Sequence, residues 1–102
     1  MSLTYDPDTA LAPLEFAVTR NLAAKTPAER DQLLVDPAFG TTFTDHMVDI
    51  CWSVRGGWHR PRVQPYGPIS LDPAAAVLHS GQEIFEGIKA YRHADGSVWT
   101  FR

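Results

Sequence analysis

The residues of this chain whose types could do chemistry are four histidines, a lone cysteine, two lysines and the acid pair Glu83 and Glu86. A metal centre asks for ligands at recurrent short spacing. His46, His59, His79 and His93 are instead scattered along the chain, and Cys51 has no cysteine partner, so no metal site is expected. Cys51, next to Trp52, reads as a buried strand residue rather than a nucleophile. Glu83 and Glu86 would suit acid–base work if their separation were fixed, but they straddle a change of backbone period and read as solvated or structurally paired carboxylates. Gly56-Gly57 and Gly87 make no glycine-rich phosphate loop. The amines able to form a Schiff base are Lys25, in a polar loop, and Lys89, within Phe85-Glu86-Gly87-Ile88-Lys89.

The segment that must position Lys89 runs from Val77 to Tyr91. Val77 and Ile84, and likewise Leu78 and Phe85, are spaced to share a helix face. From Phe85 the period becomes two, with Phe85, Gly87, Lys89 and Tyr91 on one side and Glu86, Ile88 and Ala90 on the other. A helix opened by Asp72-Pro73 and running from Pro73 to Ile84 is therefore expected to hand over to a strand near Phe85. Gly87 lies just past that junction, where a missing side chain allows a backbone or a ligand to come close.

Leu78-His79 followed by Phe85-Glu86-Gly87-Ile88-Lys89-Ala90-Tyr91 resembles the signature of branched-chain amino-acid aminotransferases, pyridoxal-phosphate enzymes of fold type IV. A second block, Phe39-Gly40, Thr44-Asp45-His46-Met47, Gly57-Trp58 and Pro65-Tyr66-Gly67-Pro68-Ile69, matches the same family in order and spacing and is most similar to its actinobacterial members. Several matches in one order are more specific than any single motif. The two blocks cover residues 39 to 102, with weaker similarity back to Leu14. The Thr-Asp-His-Met and Gly-Trp blocks argue against other type IV enzymes, such as D-amino-acid aminotransferases or aminodeoxychorismate lyases.

The resemblance implies an amino-terminal part of the small domain of an enzyme that moves an amino group between leucine, isoleucine or valine and 2-oxoglutarate. Phe85 and Gly87 would line the pocket for the branched side chain, where apolar contacts of about 1 to 3 kcal/mol per methylene discriminate substrates. Lys89 aligns with a basic residue near the site and is not the Schiff-base lysine. Ser80 stands where most relatives carry a substrate-side tyrosine, which puts normal substrate fit in doubt. The family's phosphate-binding arginine and Schiff-base lysine lie beyond Phe101-Arg102. The expectation is thus no catalytic residue in this chain, no stable binding of pyridoxal phosphate to the chain alone and no activity in isolation. The alternative reading is a folded fragment or interaction module without chemistry. By resemblance the intact enzyme is a homodimer.

Composition bounds the class. A hydrophobic content of 44% and a charged content of 21% are ordinary for a soluble globular domain. The net charge of −3, without a basic run, offers nothing to nucleic acid or an anionic membrane surface. No apolar run approaches the ~20 residues that span a bilayer, and the first residues lack the pattern of a signal peptide. The expectation is a cytoplasmic protein.

Along the chain, residues 1–13 are polar and proline-punctuated and are expected to be mobile, with Met1-Ser2-Leu3 adding nothing to the fold. Residues 14–102 would form the partial small domain. Leu14, Phe16 and Val18 alternate as a short half-buried strand. Thr26-Pro27-Ala28-Glu29 is a capping box opening a helix that buries Leu33 and Leu34 and stops before Asp36-Pro37. Thr44 to Val54 is the clearest strand, with Val48, Ile50, Trp52 and Val54 as one apolar stripe and Asp49 and Ser53 facing solvent or a polar neighbour. Gly56-Gly57 turns the chain. Pro61, Pro65 and Pro68 make Arg60 to Leu71 at most an edge or interrupted strand. Asp95-Gly96 marks a type I′ hairpin turn, with Val98 to Arg102 as the returning strand, in which the chain stops. The fold class is α+β: a largely antiparallel sheet with flanking helices, in which the Thr44 to Val54 strand and the Phe85 to Arg102 hairpin share one sheet. The edge bearing Trp99 and Phe101 invites self-association.

Overall fold

The computed structural model describes residues 13–101, so the expected mobility of the first thirteen residues falls almost wholly outside them. The chain divides into two compact units, Met1–Pro68 and Ile69–Arg102.

The first unit holds β1 (Ala17–Val18), α1 (Pro27–Leu34), β2 (His46–Ser53) and β3 (Gly57–Pro65). The strands are ordered β1-β3-β2, with β2 antiparallel and β1 parallel to β3. The turn after Ser53 brings β3 straight back along β2 and sets Trp52 opposite Trp58 and Val48 opposite Val63. The apolar stripe of β2 thereby finds lateral partners across the ladder. It does not face a core: Val48 and Trp52 remain 60% and 57% exposed.

Prolines do not prevent β3 from pairing. The register passes from Asp49 opposite Arg62 to Cys51 opposite His59, so β3 sets Arg60 and Pro61 against the single residue Ile50. This is a β-bulge, and it falls where Pro61 has no N–H to donate. Arg60 takes up the distortion with a φ of 52°. The interrupted strand expected here is thus a continuous strand with a local irregularity.

The capping box forms as expected. The Thr26 hydroxyl accepts from the Glu29 N–H at 3.2 Å, and the Glu29 carboxylate accepts from the Thr26 N–H at 2.7 Å. The helix ends at Leu34, before Asp36-Pro37. Leu33 and Leu34 are nevertheless exposed, because neither helix lays a face against a strand. β1 keeps only two residues of the expected strand, both exposed, for the same want of a covering layer. No described residue is fully buried.

The second unit holds α2 (Ala76–His79), β4 (Lys89–Arg92) and β5 (Val98–Phe101). The expected helix from Pro73 to Ile84 shrinks to one turn. Asp72 accepts from the N–H groups of Ala74 and Ala75 in a turn of its own, and after Ser80 the chain enters the left-handed region at Gly81, φ 60°. A glycine there closes a helix. The shared helix face of Val77 and Ile84 is therefore not built, and residues 81–88 are irregular, so the strand begins at Lys89 rather than Phe85.

β4 and β5 pair antiparallel as a hairpin, and form a two-stranded sheet separate from the first rather than an extension of it. In the first sheet β3 is occupied on both sides, by β1 and β2. The hairpin turn also departs from type I′. Gly96 is left-handed at φ 86° but Asp95 is not. The His93 carbonyl accepts from the Gly96 N–H at 3.0 Å and the His93 N–H donates to the Ser97 carbonyl at 2.8 Å. This is the three-residue loop in which a type I turn precedes a left-handed glycine.

Candidate functional site

All four residues expected to stand near a substrate lie in the second unit, and the structure does not gather them around one cavity. Gly87 lines a cavity of about 390 Å³ with Glu86, Ile88, Thr100 and Phe101. Lys89 pairs with Phe101 at the start of the β4/β5 ladder, so its backbone adjoins that cavity. Phe85 lies outside the lining and is 85% exposed. Ser80 ends α2, its N–H donating to the Ala76 carbonyl at 2.7 Å. A side chain added at Gly87 would meet nothing within 4 Å, so among the described residues no backbone approaches closely there.

The strongest polar cluster was not singled out by sequence. Asp49 on β2 accepts from Arg62 Nε and Nη2 on β3, both at 2.8 Å, and from Gln64 Nε2. The hydrogen bond from Arg62 holds the Asp49 carboxyl below the usual carboxylate range, and Asp49 in turn raises the Arg62 guanidinium. The alternation of β2 anticipated a polar neighbour for Asp49. Naming Arg62 and Gln64 needed the register, which places Arg62 directly opposite and Gln64 two residues along on the same face.

A second polar tie joins distant segments. Asn21 donates its backbone N–H to His46 Nε2 at 2.9 Å and its side-chain amide to the Asp45 carbonyl at 3.0 Å. The Lys25 N–H donates to Asp45 Oδ1 at 3.1 Å, and the Lys25 ammonium lies 3.7 Å from the same oxygen. Beside this tie an apolar groove of about 440 Å³ opens between α1 and residues 42–46, with Leu33, Leu34 and Phe43 in its lining and Arg30 among its charged residues. Phe43 stacks on Tyr66 with ring centroids 5.4 Å apart.

Among the described residues no three His, Cys, Asp or Glu side chains stand where they would hold a metal ion. Pyridoxal phosphate would ask for a lysine amine beside a phosphate cradle. Lys25 is engaged by Asp45, and the exposed Lys89 lies on a two-stranded sheet. At the start of α1, the Thr26 hydroxyl and the Glu29 carboxylate already occupy the capping positions, and that carboxylate would repel a phosphate. The described residues do not fit the cofactor.

No family model matches the chain. Individual proteins do. It is 59% identical over 90 residues to a branched-chain-amino-acid aminotransferase of Mycolicibacterium smegmatis, covering 88% of this chain and 24% of that protein. It is 60% identical over 75 residues to a probable branched-chain-amino-acid aminotransferase of Streptomyces coelicolor, covering 74% of this chain and 21% of the relative. A mitochondrial branched-chain-amino-acid aminotransferase of Saccharomyces cerevisiae is 45% identical over 94 residues, 89% of this chain and 23% of that protein. The chain thus spans about a quarter of the length of the curated relatives it matches.

Proposed function

Because the chain is homologous to branched-chain-amino-acid aminotransferases along the stretch it spans, we propose that it is the amino-terminal part of the small domain of such an enzyme. The intact protein would have fold type IV and move an amino group between leucine, isoleucine or valine and 2-oxoglutarate. The observation that carries this reading is the 59% identity over 90 residues of a 102-residue chain, a span that includes most of both motif blocks. Pyridoxal phosphate supplies the amino-group carrier in this chemistry. By resemblance, its Schiff-base lysine and phosphate-binding residues would lie in a part of the intact enzyme outside this stretch. The contribution proposed for this stretch is shape: in the intact enzyme the exposed ring of Phe85 and the bare backbone of Gly87, which share no cavity within this chain, would be brought to one wall of an apolar side-chain pocket by the remainder of the protein. Lys89 would stand near that wall, and Ser80 would leave room where the resemblance implies a phenol. A cytoplasmic homodimer completes the reading.

The second reading is a folded module without catalysis of its own, favoured by the engagement of Lys25 with Asp45 and by the absence of a cofactor cradle among the described residues. A domain exchange separates the two. The matching 90-residue stretch of the Mycolicibacterium smegmatis enzyme is replaced by residues of this chain, and leucine-dependent glutamate formation from 2-oxoglutarate is measured beside the chain alone. The first reading expects an active chimera and an inert chain. A folded, cofactor-loaded chimera without transamination would overturn it.

A further inference from the structure

We propose that His46 is a pH-sensitive latch holding the backbone at Asn21 against the start of β2. The Asn21 backbone N–H points at His46 Nε2 at 2.9 Å across 25 residues of sequence. A donor needs a lone pair, so Nε2 is bare and the ring is the neutral tautomer with its proton on Nδ1. Protonation places a hydrogen on Nε2, and two N–H donors then face each other across a contact that can no longer be made.

This bond is one of several that tie the segment 21–25 down. Its companions are the Asn21 side-chain amide on the Asp45 carbonyl, and the Lys25 N–H and ammonium on Asp45 Oδ1. All of them converge on the residue preceding His46. α1, which begins two residues after Lys25, gains no hold from a sheet, because neither helix packs against a strand. The charged and titratable groups around the latch are Lys25 and Arg30 across the groove, Asp45 beside it in sequence, and Tyr66 beyond β3, whose N–H also donates to the Asp45 carbonyl. The sign is fixed by the acceptor role: the bond stabilises the folded arrangement while Nε2 carries a lone pair and is lost once a proton occupies it.

Nuclear magnetic resonance of the ¹⁵N-labelled chain tests the proposal. At pH 8 the long-range ¹H–¹⁵N spectrum should place the His46 proton on Nδ1. Between pH 8 and pH 5 the protection factor of the Asn21 amide, corrected for intrinsic exchange, should fall about fivefold, the weight of one net hydrogen bond. In His46→Gln the side-chain oxygen accepts without titrating, and the protection should stay level. A proton on Nε2 at pH 8, Asn21 protection independent of pH in the native chain, or an equal fall in His46→Gln would overturn the latch. Should His46→Gln fail to fold, the tautomer and the native profile still decide.

Discussion

Replacing Arg60 with glycine should stabilise the β2/β3 pair. Arg60 is the sole non-glycine residue among those described with a positive φ, at 52°, and it sits in the bulge beside Pro61. For a residue with a Cβ the left-handed region costs roughly 1 to 2 kcal/mol. Glycine removes that penalty but adds unfolded-state freedom worth roughly 0.5 to 1 kcal/mol. The difference favours Arg60→Gly by up to about 1.5 kcal/mol, centred on about 0.75. Arg60→Asn should gain less, because asparagine tolerates the region without being free in it. Arg60→Val should lose stability, since a β-branched side chain is least compatible with positive φ. Urea unfolding followed by tryptophan fluorescence reads this directly, because Trp52 and Trp58 face each other across the same ladder. The midpoint should rise in the order Val, Arg, Asn, Gly at constant m-value. A glycine variant no more stable than the native chain would refute the assignment of strain to this bulge.

The remaining predictions concern the acid limb, the cap and the sheet edge. Since its bond from Arg62 holds the Asp49 carboxyl low, the stability it contributes is complete above the ordinary aspartate range and is lost as the pH falls through the depressed value; Asp49→Asn should flatten the acid limb of β2/β3 amide protection, and an unchanged limb would count against the cluster. Thr26→Ala should cost about 1 kcal/mol and weaken the α1 signal in circular dichroism, whereas an unaltered helix would make the box dispensable. Trp99 and Phe101, 63% and 86% exposed on β5, should drive association at micromolar concentration; sedimentation should show the paired lysine substitutions monomeric, and a native chain that is itself a single monomeric species would contradict edge pairing.

What sequence could convey was the local chemistry. Thr26 and Glu29 lie three residues apart and need only each other, so their box was legible, as were the alternation of His46–Ser53 and the place of the hairpin. Periodicity misled where it presumed a partner. Val77 and Ile84 share a helix face only if the helix continues, and Gly81 ends it first. The stripe of Val48 and Trp52 implied a second layer, yet those side chains meet their partners across the strand. Pro61 argued against a strand until the bulge gave it a position where no donor is needed. The contacts of Asn21 with His46, and of Asp49 with Gln64, depend on turns and register, and so had no signature in either segment alone.

The proposed role of this stretch as one wall of a branched side-chain pocket is tested most directly by substrate discrimination in the active chimera. Phe85→Ala should lower the ratio of kcat/KM for leucine over alanine by about tenfold or more, the scale of lost apolar contact in such a pocket, while the rate with alanine changes little. An unchanged ratio, with both substrates slowed alike, would contradict the placement of Phe85 at the substrate.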